Sequence, residues 1–131
     1  MINILIADDH PLVREGLKKV VGQSTIDIQV VGEASDAHEL MERLKETVPD
    51  IVILDIAMPG KSGLDVLKEI KDFYPDLPVL ILSMHPEERF AIRSLRAGAS
   101  GYLTKSSISD QMVKAIRKIV VEKRKYQPRV G

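Results

Sequence analysis

At 131 residues, 44% of them hydrophobic and 29% charged, the chain has room for one globular domain with a real core, and hardly for two. Lysine plus arginine (19) balances aspartate plus glutamate (19), and a net charge of zero argues against general attraction to DNA or to an anionic membrane. Cysteine is absent, which excludes a disulfide framework or a thiolate metal site and fits a cytoplasmic protein.

No apolar run approaches membrane-spanning length, and the start MINILIADD turns acidic too soon for a signal peptide. Ile2 to Ala7 predicts a strand that ends on the acid pair Asp8 and Asp9. Pro11, tolerated in a first turn, opens a helix with Leu12, Leu17, Val20 and Val21 on its apolar side. Ile28 to Gly32 predicts a second strand, the one best suited to a sheet edge. Asp36 with Glu39 makes a capping-type start for a helix carrying Leu40, Met41 and Leu44, closed by Pro49. Ile51 to Leu54 predicts the third strand, and Asp55 follows it.

Ser62 with Asp65 opens a third helix carrying Leu64, Leu67 and Ile70, which ends in the Pro75 and Pro78 region. Val79 to Leu82 predicts the fourth strand, followed by Ser83. Pro86 opens a fourth helix with Phe90, Ile92 and Leu95, stopped at Ala97 and Gly98. Gly101 to Leu103 predicts the fifth strand, followed by Thr104 and Lys105. Ile108, Met112, Ile116, Ile119 and Val120 line one face of a fifth helix, and Glu122 to Gly131 reads as its frayed end running into a linker. Short, uniformly apolar strands covered on both faces, alternating with helices, predict an α/β fold: a doubly wound, five-stranded parallel sheet with right-handed crossovers.

In such a sheet, ligands collect at the carboxyl ends of the strands. The polar residues expected there are Asp8, Asp9, Asp55, Ser83, Thr104 and Lys105. Two unit charges ~4 Å apart repel by about 4 kcal/mol at an effective dielectric of ~20, so a proton or a cation must offset the carboxylates. A hard, oxygen-rich site with open positions suits Mg²⁺. Lys105 adds a positive charge suited to a phosphoryl group and Ser83 a hydroxyl donor. A carboxylate nucleophile beside Mg²⁺ and a lysine is the equipment for forming an aspartyl-phosphate.

Singly, each residue has a plainer role: a cap for the acids and the serine, an ordinary surface lysine for Lys105. Their coincidence at one sheet edge favours a functional site. Three other features are set aside. Gly60-Lys61-Ser62 mimics the end of a phosphate-binding loop, but that motif needs glycine where Asp55 stands. His10, His38 and His85 lack metal-ligand spacing and are assigned core or surface roles. Lys123, Arg124 and Lys125 suit the C-terminal end of a helix dipole better than nucleic acid.

The blocks IADDHPLVREGL, VILDIAMPGKSGLD, LILSMH and RAGASGYLTK, in this order and spacing, resemble response-regulator receiver domains along nearly the whole chain. The first and last of these blocks are most similar to the NarL/FixJ subfamily, whose members carry a C-terminal LuxR-type helix-turn-helix domain. The resemblance implies a flavodoxin-like (CheY-like) sheet of order 2-1-3-4-5. It implies Asp55 as phosphoryl acceptor, with a sensor histidine kinase as donor. Asp9, Asp55 and the backbone carbonyl of Ala57 match the Mg²⁺ ligands, and Asp8 matches the neighbouring acid that acts through water. Lys105 matches the lysine that pairs with phosphoryl oxygens. Ser83 and Tyr102 match the switch pair; Pro59 and Gly60 match the loop after the acceptor. Met84 departs from the pattern, standing where receivers commonly carry a small residue such as alanine; its bulk bears on access to the phosphoryl group.

The expected organisation is a receiver over residues 1–122, with 123–131 beginning a linker to a DNA-binding domain outside this chain. Homodimerisation on phosphorylation and transcription regulation are expected, with no membrane partner and no enzymatic turnover beyond self-catalysed phosphoryl transfer and hydrolysis. A single-domain receiver acting through protein contacts is the alternative. A phosphohydrolase of small metabolites would need a substrate-covering cap, for which 131 residues leave no space. A degenerate, constitutive interaction module fits poorly with the intact acid, hydroxyl and lysine set.

Overall fold

The computed structural model describes residues 1–24, 27–58, 61–84 and 88–126. The order of elements is β1 (Ile2–Ala7), α1 (Pro11–Ser24), β2 (Ile28–Ala34), α2 (Ala37–Glu46), β3 (Ile51–Asp55), α3 (Gly63–Phe73), β4 (Val79–Ser83), α4 (Glu88–Arg96), β5 (Gly101–Thr104), a 3-10 turn (Lys105–Ser107) and α5 (Ile108–Tyr126). All four strand pairings are parallel and the sheet order is β2-β1-β3-β4-β5, as the resemblance implies.

Alternation along each strand divides the core in two. Ile2, Ile4, Ile6, Ile51, Ile53, Leu80 and Leu82 face one way, against Leu17 and Val21 of α1 and Met112, Ile116 and Val120 of α5. Leu5, Ala7, Val52, Leu54, Val79 and Ile81 face the other, against Leu40 and Leu44 of α2 and Val66, Leu67 and Ile70 of α3. The sheet is therefore covered on both sides, which explains why β3 and β4 are apolar at nearly every position. The edge strands differ: β2 is only partly buried and no residue of β5 is fully buried.

The expected caps form as written in the sequence. Asp36 accepts from the Glu39 N–H and Ser62 from the Asp65 N–H, starting α2 and α3. Gly98, at φ 106°, ends the α4 segment in a conformation other residues rarely adopt, and its N–H reaches the Leu95 carbonyl at 3.1 Å.

Three expectations need correction. Leu12 is 86% exposed rather than part of the α1 core face, because that face is supplied by Leu17 and Val21. Ile92 and Leu95 of α4 are 44% and 52% exposed, so this helix turns an apolar side to solvent. Its innermost described position is Ser94, a small residue that lets the helix lie close to its neighbours α3 and β5. Helix α5 stays helical to Tyr126, so its end lies beyond residue 122. Pro59, Gly60, His85, Pro86 and residues 127–131 lie outside the described residues. Among the described residues, no helix is long and apolar enough to cross a membrane.

Candidate functional site

The strand ladders run one residue further than the apolar runs in β3, β4 and β5. Hydrogen bonding does not depend on side-chain polarity, so Asp55, Ser83 and Thr104 become the last residues of their strands. Asp55 pairs in register with Leu82, and Ser83 with Thr104. Asp8 follows β1 directly, its N–H donating to the Ala34 carbonyl at 2.9 Å. Lys105 begins the 3-10 turn immediately after β5.

These ends converge. Lys105 Nζ lies 3.1 Å from Asp8 Oδ2 and 3.4 Å from Asp55 Oδ2. Asp8 and Asp55 are each only 1% exposed, and Ser83 is also buried. The Ala57 N–H donates to Asp55 Oδ1 at 3.1 Å, closing the turn after β3 and orienting the carboxylate. Burial pushes the Asp55 carboxyl above the ordinary aspartate range; the Ala57 N–H pulls it back, the charge of Asp8 raises it further, and Lys105 opposes both. One lysine thus faces two buried carboxylates, with Asp9 beside them.

That imbalance shows in the hydrogen bonding. Asp8 Oδ2, Asp9 Oδ1 and Asp55 Oδ2 are buried and receive no well-formed hydrogen bond. Ligating atoms of Asp8, Asp9, His10 and Asp55 lie within 4.8 Å of one another, a cluster able to hold a metal ion. Buried carboxylate oxygens short of donors are what a hard cation satisfies, so the donor set fits such an ion.

His10, set aside on sequence spacing, belongs to this group. Its Nδ1 lies 3.0 Å from Asp9 Oδ1 and 3.3 Å from Asp8 Oδ1. Linear spacing rules miss it because its partners are the two residues just before it, closer along the chain than the ligand spacings such rules count. His38 is exposed on α2, away from the cluster.

Sequence reasoning also passed over three supporting residues. Arg14 donates from Nη1 to the Asp8 carbonyl at 2.6 Å and from Nε to Glu33 Oε1 at 3.1 Å, tying the acid pair to the end of β2. Glu33 also takes Lys18 Nζ at 3.1 Å. Gly63 lies so close to the turn after Asp55 that an added Cβ would stand 2.5 Å from Ile56 Cα. The signal in sequence was a lone glycine directly after the cap Ser62, which only a known neighbour makes meaningful.

Tyr102 is half-buried and packs against the α2–α3 side of the core. It pairs with Ile81, two residues before Ser83, so the register puts Tyr102 and Ser83 on one face of adjacent strands. Met84 is exposed directly after Ser83.

The family described as "Response regulator receiver domain" matches residues 4–117. The "Uncharacterized transcriptional regulatory protein YxjL" of Bacillus subtilis is 39% identical over 116 residues, 88% of this chain and 53% of the relative. The "Response regulator GacA" of Pseudomonas viridiflava is 37% identical over 132 residues, covering 100% of this chain and 61% of the relative. A crystal structure of a LuxR-family two-component response regulator from Aurantimonas superposes with a TM-score of 0.87 at 38% identity, covering 93% of this chain and 86% of that one. The chain thus spans a little over half the length of the curated relatives it matches.

Proposed function

Because this chain belongs to the response-regulator receiver family of two-component systems, we propose that Asp55 is the residue that accepts the phosphoryl group, from a histidine kinase. The observation that carries the proposal is the pairing of Lys105 Nζ with both Asp55 Oδ2 and Asp8 Oδ2 at the carboxyl edge of the sheet.

In the transfer, an Asp55 carboxylate oxygen attacks phosphorus, the P–N bond of the donor phosphohistidine breaks, and its electron pair returns to the imidazole. The acceptor must be ionised, yet burial favours its protonated form. Lys105 offsets this and can then meet the phosphoryl oxygens with charge-assisted bonds. Asp9, Asp55 and the Ala57 carbonyl would hold Mg²⁺, with Asp8 acting through water. Once bound, Mg²⁺ supplies charge neutralisation between carboxylate and phosphoryl oxygens. Ser83, one strand over, would supply a hydroxyl to the new group, and Tyr102 would fill the space it vacates.

The chain turns over no independent substrate in this reading. Its output is a changed surface, feeding homodimerisation and, as the names of its relatives suggest, transcription regulation, which we assign to a helix-turn-helix domain beyond a linker that follows α5. The protein would work in the cytoplasm.

Intact-mass measurement after incubation with acetyl phosphate and Mg²⁺ tests the acceptor. One phosphoryl group, lost in base, is expected on wild type and none on Asp55→Asn. The same adduct on the asparagine variant would overturn the assignment.

A further inference from the structure

The imidazole of His10 stands at the exposed rim of the acid pocket with no part in the phosphoryl chemistry described above. Its Nδ1 lies 3.0 Å from Asp9 Oδ1 and 3.3 Å from Asp8 Oδ1. An imidazole that only hydrogen-bonds a carboxylate points one N–H at one oxygen. Here two carboxylates converge on one nitrogen, and a single N–H cannot lie in line with both.

The separations fit neighbouring ligands around one ion as well as they fit the hydrogen bond to Asp8 and the ion pair with Asp9. Ligands about 2.1 Å from a common centre stand ~3.0 Å apart at a right angle and ~3.4 Å apart at the tetrahedral angle. The ring's backbone is also anchored. The His10 N–H donates to Asp8 Oδ1 at 2.9 Å, and the His10 carbonyl accepts from the N–H groups of Val13 and Arg14 at 3.0 and 3.1 Å. Asp9 Oδ1, one of the two oxygens facing Nδ1, is buried without a hydrogen bond. So are Asp8 Oδ2 and Asp55 Oδ2, in side chains only 1% exposed, and Lys105 Nζ is the ion-pair partner those two share.

Ligand type then separates two classes of cation. Mg²⁺ takes oxygen ligands and keeps its waters, so an imidazole adds little for it. Borderline first-row divalent ions, rising from Mn²⁺ to Ni²⁺ and Cu²⁺ with Zn²⁺ close behind, take imidazole readily. We propose that His10 Nδ1, with the carboxylates of Asp8 and Asp9, makes this pocket a site for a borderline divalent cation of the Ni²⁺ or Zn²⁺ class, in competition with Mg²⁺. An ion so held displaces Mg²⁺ from the acid pair, and its imidazole ligand fills a position that a phosphoryl oxygen would otherwise take, so it acts as an inhibitor. The inference rests on the reading of this pocket as the cation site of a receiver.

The test is calorimetric titration of the whole chain with Ni²⁺ alone and Mg²⁺ alone, in a buffer that binds neither, for wild type, His10→Ala, His10→Gln and His38→Ala. The His10 side chain is 63% exposed, so its replacement leaves the core untouched. Either change at His10 should weaken Ni²⁺ by about tenfold or more while shifting Mg²⁺ far less, and His38→Ala should change neither. Ni²⁺ added to wild type should also slow the gain of mass from acetyl phosphate, and His10→Ala should relieve that inhibition. Equal Ni²⁺ affinity in wild type and both His10 variants, with Mg²⁺ binding and phosphorylation intact, overturns this inference and leaves the receiver reading standing. Absence of binding by either ion to wild type overturns both.

Discussion

Lys105 sits slightly closer to Asp8 than to Asp55, at 3.1 against 3.4 Å, so the proposed acceptor shares its counter-charge with a neighbour. The lysine is 11% exposed and both carboxylates are buried. Replacing it with methionine keeps the length of the side chain and removes the charge. Lys105→Met should therefore destabilise the metal-free fold by about 2 kcal/mol, the order of cost for leaving a buried charge uncompensated. Adding Asp8→Asn should recover part of that loss. Urea unfolding of the two single variants and the double variant measures both effects. A double variant no more stable than Lys105→Met would mean that repulsion between Asp8 and Asp55 is not the source of the cost.

Gly63 yields a prediction at the other side of the acceptor. An added Cβ would meet Ile56 Cα and its carbonyl oxygen, both at 2.5 Å, and neither is the end of a flexible side chain. Gly63→Ala must push α3 away from the turn that carries Ile56 and Ala57. A cost of about 1–3 kcal/mol is expected, together with slower acceptance of the phosphoryl group as the Asp55 carboxylate loses its orientation. Unchanged stability and kinetics would place the required close approach elsewhere.

Away from the site, Arg117 of α5 grips Asp27 from 90 residues away, with Nη2 2.8 Å from Oδ1 and Nε 3.3 Å from Oδ2. The hydrogen bonds and charge of Arg117 hold the Asp27 carboxyl below the ordinary aspartate range. A carboxyl lowered on folding stabilises the native state above its unfolded pKa, and that stability is lost as pH falls through the lowered native value. Wild type should therefore exceed Asp27→Asn in stability at neutral pH by a small margin, both groups being exposed. The margin should vanish under acid conditions. A difference independent of pH would assign the effect to the shape of the amide instead of to charge.

How much of this was readable beforehand depended on the kind of signal. Strand positions followed from apolar runs, sheet order from the family resemblance, and the caps Asp36 and Ser62 declared themselves through the acids three residues on. The ends of β3, β4 and β5 did not, because polarity marks where the core stops while backbone pairing continues one residue further. The outward side of α4 looked like core, since periodicity gives the existence of an apolar face but not its destination. Arg14 and Glu33 were illegible as site residues because their meaning lies in contacts made after the chain folds back. His10, by contrast, stood beside the acid pair and was set aside only because spacing rules look for separated ligands. For Asp8, Asp55 and Lys105 the topology supplied that information in advance, through the rule that ligands gather where parallel strands end.

The switch reading gives its own prediction. Ser83 and Tyr102 share a face on neighbouring strands, and the exposed Ile92 and Leu95 belong to α4, which packs beside β5. Beryllofluoride, standing in for the phosphoryl group, should change the self-association of wild type, and Ser83→Ala should bind it without the full change. Sedimentation with and without the analogue measures this. Full switching by Ser83→Ala would remove the hydroxyl from the coupling route.

The central claim is that one carboxylate among the buried acids, Asp55, forms the acyl phosphate. Borohydride reduces an aspartyl-phosphate to homoserine, so reduction of the phosphorylated chain followed by peptide mapping identifies the acceptor directly. Homoserine at position 55 alone is the expected result. Homoserine at position 8 or 9, or none at 55 in a chain carrying a phosphoryl group, would contradict it.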